Sequence, residues 1–151
     1  MLKIVIETSN TVFQGHGKNF EISRILNEAS ELVSNGFGSG AEHLRDKNGN
    51  KVGILVMDPT RLTEAALLIR EIKKNDHVIL DIETGNAALR GDDVGYELSR
   101  IIKEAAEKVW NDDLNFKLRD ANGNIVGKVE ECPAVKPIAT KVKNATSSLG
   151  I

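Results

Sequence analysis

A chain of 151 residues with a net charge of −2, 40% hydrophobic and 28% charged residues, has the size of one domain or two small ones and the make-up of a soluble globular protein. No apolar run reaches the roughly 18 residues of a membrane span, and the opening MLKIVIETSN turns polar too soon for a signal peptide. The single cysteine, Cys132, rules out an internal disulfide and points to a reducing cytoplasm, and 4% aromatic residues leave little from which to build a base-stacking platform for nucleic acid.

The first element is a strand. Leu2, Ile4 and Ile6 alternate with other residues at period two, which predicts one buried face. The loop TSNTVFQGHGKNF leads into a helix whose Ile22, Ile25, Leu26, Ala29, Leu32 and Val33 recur at helical spacing. LRDKNGNKVG (Leu44–Gly53) then reads as a hairpin, because Asn48-Gly49 offers the two positive-φ positions of a tight type I′ turn. Residues 58–76 follow as a connecting helix of about four turns, with Asp58 as N-cap, Pro59 in the first helical position, and a stripe of Leu62, Ala65, Ala66, Ile69 and Ile72.

From Val78 the pattern begins again. Val78, Leu80 and Ile82 alternate as the first strand does, and IETGN (Ile82–Asn86) matches IETSN (Ile6–Asn10) at an offset of 76. YELSRIIKEAAEKV (Tyr96–Val109) matches FEISRILNEASELV (Phe20–Val33) at the same offset. LRDANGNIVG (Leu118–Gly127) matches the first hairpin at an offset of 74. A repeat that keeps register from strand to hairpin predicts a duplicated structural unit. The expected fold is therefore α+β: a βαββ unit at 1–57, the connecting helix at 58–76, a second βαββ unit at 77–131, and an extended, frayed tail at 132–151. A lone three-stranded unit buries little, so the two are expected to pack as a pseudo-two-fold pair, either through sheet edges or through helices.

Charge is uneven along this plan. Residues 77–131 carry seven basic and twelve acidic residues, whereas the tail has three lysines and no acid. An acidic second unit repels phosphate, which argues against duplex binding there.

The familiar chemical motifs are incomplete. Gly15-His16-Gly17 lacks the third glycine of a dinucleotide loop, with Asn19-Phe20 in its place, and no Gly-Lys-Ser/Thr occurs. Asp92 and Asp93 in the second loop repel phosphate but suit a helix N-terminus. Asp120, Asn122, Asn124 and Glu131 echo calcium-loop spacing, yet Ile125 stands where such a loop needs glycine. His16, His43 and His77 are isolated, so no metal site is expected. Ser9, Ser23 and Ser99 lack a nucleophile elbow, and Arg24 and Arg100 are expected to pair with Glu28 and Glu104 one helical turn on. No cofactor or catalytic role is expected.

The combination IETGNAAL, GYELSRIIKEAAEKV and LRDANGNIVG resembles a family of short proteins of phages, prophages and plasmids, in which a Thr-Gly-Asn-Ala-Ala-Phe-like strand end and a Leu-Arg-Asp-x-Asn-Gly-Asn-x-Val-Gly hairpin flank a helix. The resemblance covers residues 78–128 closely and 2–56 more loosely, with Ser9, Thr11, Val12 and Leu89 departing from the pattern. It implies a mobile-element origin and, for a small non-catalytic protein in the bacterial cytoplasm, action by binding host machinery. The leading expectation is a protein that occludes a host defence or nucleoprotein complex, as anti-CRISPR proteins do, through Asp92, Asp93, Glu97, Glu104, Asp112 and Asp113; a homodimer is compatible with it. A second is a small-ligand or nucleotide binder using the two strand-to-helix loops, with Thr8, Asn10, Thr84 and Asn86 as contacts. A third is direct nucleic-acid binding through the first unit and Lys136, Lys141 and Lys143 of the tail.

Overall fold

The computed structural model describes residues 1–37, 40–58, 63–85 and 94–134. In chain order the elements are β1 (Leu2–Glu7), α1 (Lys18–Ser34), β2 (Ala41–Arg45), β3 (Lys51–Met57), α2 (Thr63–Ile72), β4 (His77–Ile82), α3 (Val94–Trp110), β5 (Phe116–Arg119) and β6 (Ile125–Cys132), with two 3₁₀ turns before α1. The class is mixed α+β, as the periodicities predict. The strands form one antiparallel sheet in the order β2-β3-β1-β4-β6-β5.

Edge pairing and helix packing both join the halves. β1 and β4 pair in the centre, with Leu2 opposite Ile82, Ile4 opposite Leu80 and Ile6 opposite Val78. These six side chains face a layer made by α1 and α3, whose Ile22, Ile25, Leu26, Leu98, Ile101 and Ile102 complete one core. The two helices lie side by side, close enough for the Ser23 hydroxyl to donate to the Ala106 carbonyl (2.8 Å) and for the Ser30 and Ser99 hydroxyls to meet (2.9 Å). Of the three serines passed over as nucleophiles, Ser23 and Ser99 thus sit at the helix interface.

The expectation of one buried face fails for β1, and β3 beside it is likewise buried on both faces. Val5, Ile54 and Val56 are buried on the opposite face under Ala65, Ile69 and Ile72 of α2. That layer lies over β1 and β3 and reaches Ile79 of β4 at its border. At the aligned positions of the second half stand Asp81, Lys128 and Glu130, all in ion pairs: Lys3 to Asp81 across β1 and β4 at 3.4 Å, and Lys128 to Glu130 along β6 at 2.7 Å. The open half of the face is thus written for water where the covered half is written for oil.

Two local expectations need correction. α2 is described over Thr63–Ile72 and ends there, short of the expected residue 76, and its stripe passes through Ala65, Leu68, Ile69 and Ile72, leaving Ala66 exposed. Asp58 takes φ 52°, outside the extended conformation of an N-cap, and its carboxylate accepts from the Met1 amino group at 3.2 Å. Pro59, Leu62 and the tail beyond Ala134 lie outside the described residues.

The hairpin turn is also of another type. Only Gly49 and Gly123 have positive φ (86° and 84°), not the asparagines before them. Gly49 N–H donates to the Asp46 carbonyl (3.0 Å) and Asp46 N–H to the Asn50 carbonyl (2.9 Å), with the same bonds from Gly123 and Asp120. This is a three-residue loop with a left-handed glycine after a type I turn, and the register shifts beside it, at Leu44/Arg45 and Leu118/Arg119. Asp46 and Asp120 organise the loops: each Oδ1 accepts two backbone N–H groups, those of Asn48 and Asn50 or of Asn122 and Asn124. The aspartate that echoed a calcium ligand is thus bonded within its own turn.

Candidate functional site

Each long helix is fastened to its hairpin by a glutamate in its first turn. Glu21 is buried, and its carboxylate accepts from Arg24 Nε (2.6 Å) and Nη2 (3.2 Å) and from the Lys47 backbone N–H (2.7 Å). Arg24 also reaches Glu28 (2.7 Å) and the Arg45 carbonyl (2.8 Å). In the second half Glu97 bonds Arg100 and accepts from the Ala121 N–H (2.8 Å), while Arg100 also contacts Glu104 (3.0 Å) and the Arg119 carbonyl (3.3 Å). The expected pairs with Glu28 and Glu104 are present; the buried glutamates three residues before each arginine are the partners that spacing alone left out. The E-x-x-R pattern in both helices was the available signal.

The electrostatics agree with the geometry. The bond from Arg100 is the largest cause holding the Glu97 carboxyl below its ordinary range, outweighing burial. The same bond raises the Arg100 guanidinium, as Glu21 raises Arg24. At Asp46 burial pushes the carboxyl up, but the bonds from Asn50 and Asn48 together bring it down. Glu97 is therefore spent inside the fold and is withdrawn as a surface contact.

The described starts of the two strand-to-helix loops lie apart. Because β1 and β4 are antiparallel, Glu7 lies opposite His77 and Leu2 opposite Ile82, so the loops leave from opposite ends of the sheet. Thr8 is buried and its N–H donates to the Asp76 carbonyl (2.8 Å). Asn10 caps the first 3₁₀ turn by accepting from Val12 N–H (3.2 Å), and its amide donates to Asp46 Oδ2 (3.2 Å). Thr84 accepts from the Met1 amino group (3.0 Å). Thr8 and Asn10 thus share no site with Thr84; Asn86, Asp92 and Asp93 fall outside the described residues.

What remains at the surface is the far end of α3. Glu104 is exposed and paired with Arg100. Asp112 accepts from the Asn19 amide (3.0 Å), and Asp113 from the Asn115 N–H (3.1 Å). Beside them stands a feature the sequence reading did not single out. The rings of Phe20 and Trp110 lie 4.9 Å apart, tilted by 48°, and each residue remains 56% exposed. Tyr96 is 75% exposed. The signal was that Phe20 and Tyr96 occupy the same position in the two helices, off both apolar stripes.

Metal chemistry finds no cluster of three His, Cys, Asp or Glu among the described residues. His77 is buried with Nδ1 2.7 Å from the Asn75 carbonyl, and burial raises the Cys132 thiol. No described helix is long and apolar enough to cross a membrane. No protein-family profile, curated protein or solved structure matches the chain.

Proposed function

We propose that the chain is a non-enzymatic binding protein of a phage or mobile element, built by duplication of a βαββ unit, that occludes a basic, nucleic-acid-binding surface of a host defence complex inside the bacterial cell. The duplication is supported by the repeated bonding pattern: Glu21–Arg24–Lys47 and Glu97–Arg100–Ala121 occupy aligned positions in the two halves.

The observation that carries the binding reading is the exposed end of α3. Glu107, Asp112 and Asp113 have no cationic partner among the described residues, whereas Glu21, Glu97, Asp46 and Asp120 are all spent on the fold. Unneutralised surface carboxylates chiefly steer a basic partner and reject phosphate.

The test is protection of a plasmid in bacteria that carry a plasmid-targeting defence system, read as transformants recovered. Asp112→Asn with Asp113→Asn keeps the acceptor oxygens and tolerates the φ of 70° at Asp112 while removing both charges. The pair should lower protection tenfold or more, on the order of 1.4 kcal/mol of lost interaction. Unchanged protection by a folded variant would sink the reading.

Direct nucleic-acid binding makes a separate demand. Mobility shifts at physiological salt should show no duplex complex tighter than about micromolar. A tight complex with a steep salt slope would instead favour recognition of nucleic acid itself.

A further inference from the structure

We infer that the Phe20–Trp110 corner, with Glu107, Asp112 and Asp113 beside it, is a receptor for an arginine side chain of a basic partner; this rests on the binding reading above and names its anchor. The corner is made by both helices. Phe20 comes from the first turn of α1, Trp110 ends α3, and the Asn19 amide holds Asp112 across the gap at 3.0 Å. The helices' buried stripes are aliphatic or small, so the core does not demand aromatic rings here. The only tryptophan of the chain is nevertheless kept half in water.

Two of the nearby lysines are already engaged. Lys18 is bridged to Glu131, and Lys108 lies 5.1 Å from the centroid of the Phe116 ring. Two exposed rings and three carboxylates without cationic partners among the described residues are therefore left together. A guanidinium suits that combination, because its flat face stacks on a ring while its edge donates to carboxylates. A lysine ammonium is more strongly hydrated and has no such face.

The backbone adds an independent mark. Both long helices end in the same pair of bonds. Gly36 N–H donates to the Val33 carbonyl (3.2 Å) and Phe37 N–H to that of Leu32 (3.1 Å); Asp112 N–H donates to Val109 (3.0 Å) and Asp113 N–H to Lys108 (3.0 Å). This ending calls for a left-handed residue, and α1 supplies Gly36 at φ 100°. α3 places Asp112 there at φ 70°, a costlier choice than glycine. A carboxylate is thus held at this corner against backbone preference.

The experiment titrates the full chain with fluorescein-labelled octa-arginine and octa-lysine at low and raised salt, following peptide anisotropy and Trp110 emission. Octa-arginine should bind saturably, perturb Trp110, and bind severalfold more tightly than octa-lysine. Trp110→Ala and Phe20→Ala should each weaken it about threefold or more. Asp112→Gly should weaken it as well while leaving the melting temperature unchanged or raised, a split that a purely structural aspartate would not give. Equal affinity for the two peptides, or indifference to Trp110→Ala in a folded protein, overturns the assignment. So does self-association of the chain that Trp110→Ala abolishes, which would make the corner a homodimer contact. Octa-arginine binding that persists while the Asp112→Asn, Asp113→Asn pair leaves plasmid protection untouched would overturn the defence reading and support the site. Protection that survives both ring substitutions, with octa-arginine binding also unchanged, would overturn the site and leave the defence reading standing.

Discussion

Gly127→Ala should cost about 3 kcal/mol or more, the upper end of what overpacking a tight interior produces. β6 runs beside β4 with Gly127 opposite Ile82, and a Cβ on Gly127 would lie 1.9 Å from the Asp81 carbonyl oxygen and 2.9 Å from its carbon. Those are backbone atoms of a strand held on its other side by β1, so no side chain can turn aside to make room. Gly53 repeats the situation more mildly, 2.6 Å from the Val5 carbonyl oxygen. Gly123→Ala supplies the contrast. Its φ of 84° disfavours alanine, but nothing lies within 4 Å, so the strain of a left-handed residue remains, about 1 kcal/mol. Urea denaturation of the two variants should therefore separate them widely, with Gly127→Ala losing a large share of a domain's usual roughly 5–15 kcal/mol. Equal midpoints would mean that β6 does not approach β4 as closely as this.

The tenth letter of the repeated LRDxNGNxVG thus has a physical reason of its own. Reading it as turn chemistry explained Asn-Gly but not the glycine four residues later, because close backbone approach between strands is invisible until the strand order is known. The same limit applies more widely. Leu2, Ile4 and Ile6 announced a strand, and Ile22 to Val33 a helix, since each pattern depends only on neighbours along the chain. Edge pairing of β1 with β4 and packing of α1 on α3 stood as alternatives in the sequence, and the structure uses both. The reach of α2 over one half of the sheet was legible after the fact in Val5 against Asp81 and Ile54 against Lys128, once those positions were known to share a face. The Asn-Gly turns were placed correctly but typed wrongly, because Asp46 and Asp120 bond the following N–H groups and favour the longer loop.

For the candidate site the difficulty was sharper. Net acidity in 77–131 was readable, but it did not distinguish Glu97, buried against Arg100, from Asp112, exposed beside Trp110. The pairing of Phe20 with Trp110 joins residues 90 apart in the chain, through a contact between α1 and α3 that no local pattern encodes. What a sequence lists as equal carboxylates, the fold divides into fasteners and free charges.

That division makes Glu97 the second substitution of large effect. Glu97→Ala should cost about 2 kcal/mol, because it leaves the Ala121 N–H without its acceptor and Arg100 without its main partner. The pH dependence identifies the cause. The Arg100 bond, followed by the Ala121 N–H, holds the Glu97 carboxyl below its ordinary value despite burial. A carboxyl that is more acidic folded than unfolded stabilises the fold fully above its unfolded pKa, near 4.3 for a free glutamate, and the benefit is lost as pH falls through the lower folded value. Glu97→Gln keeps the shape but removes the charge, so its stability should fall less between about pH 5 and pH 3 than that of the parent chain. Other carboxyls titrate in the same window, Asp46 among them with a lowered value. The measurement is therefore the difference between the two urea-midpoint profiles, in which those shared contributions cancel. A difference that shrinks toward acid marks Glu97 as the charged clasp between α3 and the second hairpin. Parallel profiles would mean that Glu97 gains nothing from its charge on folding, and that packing alone holds α3 to the hairpin.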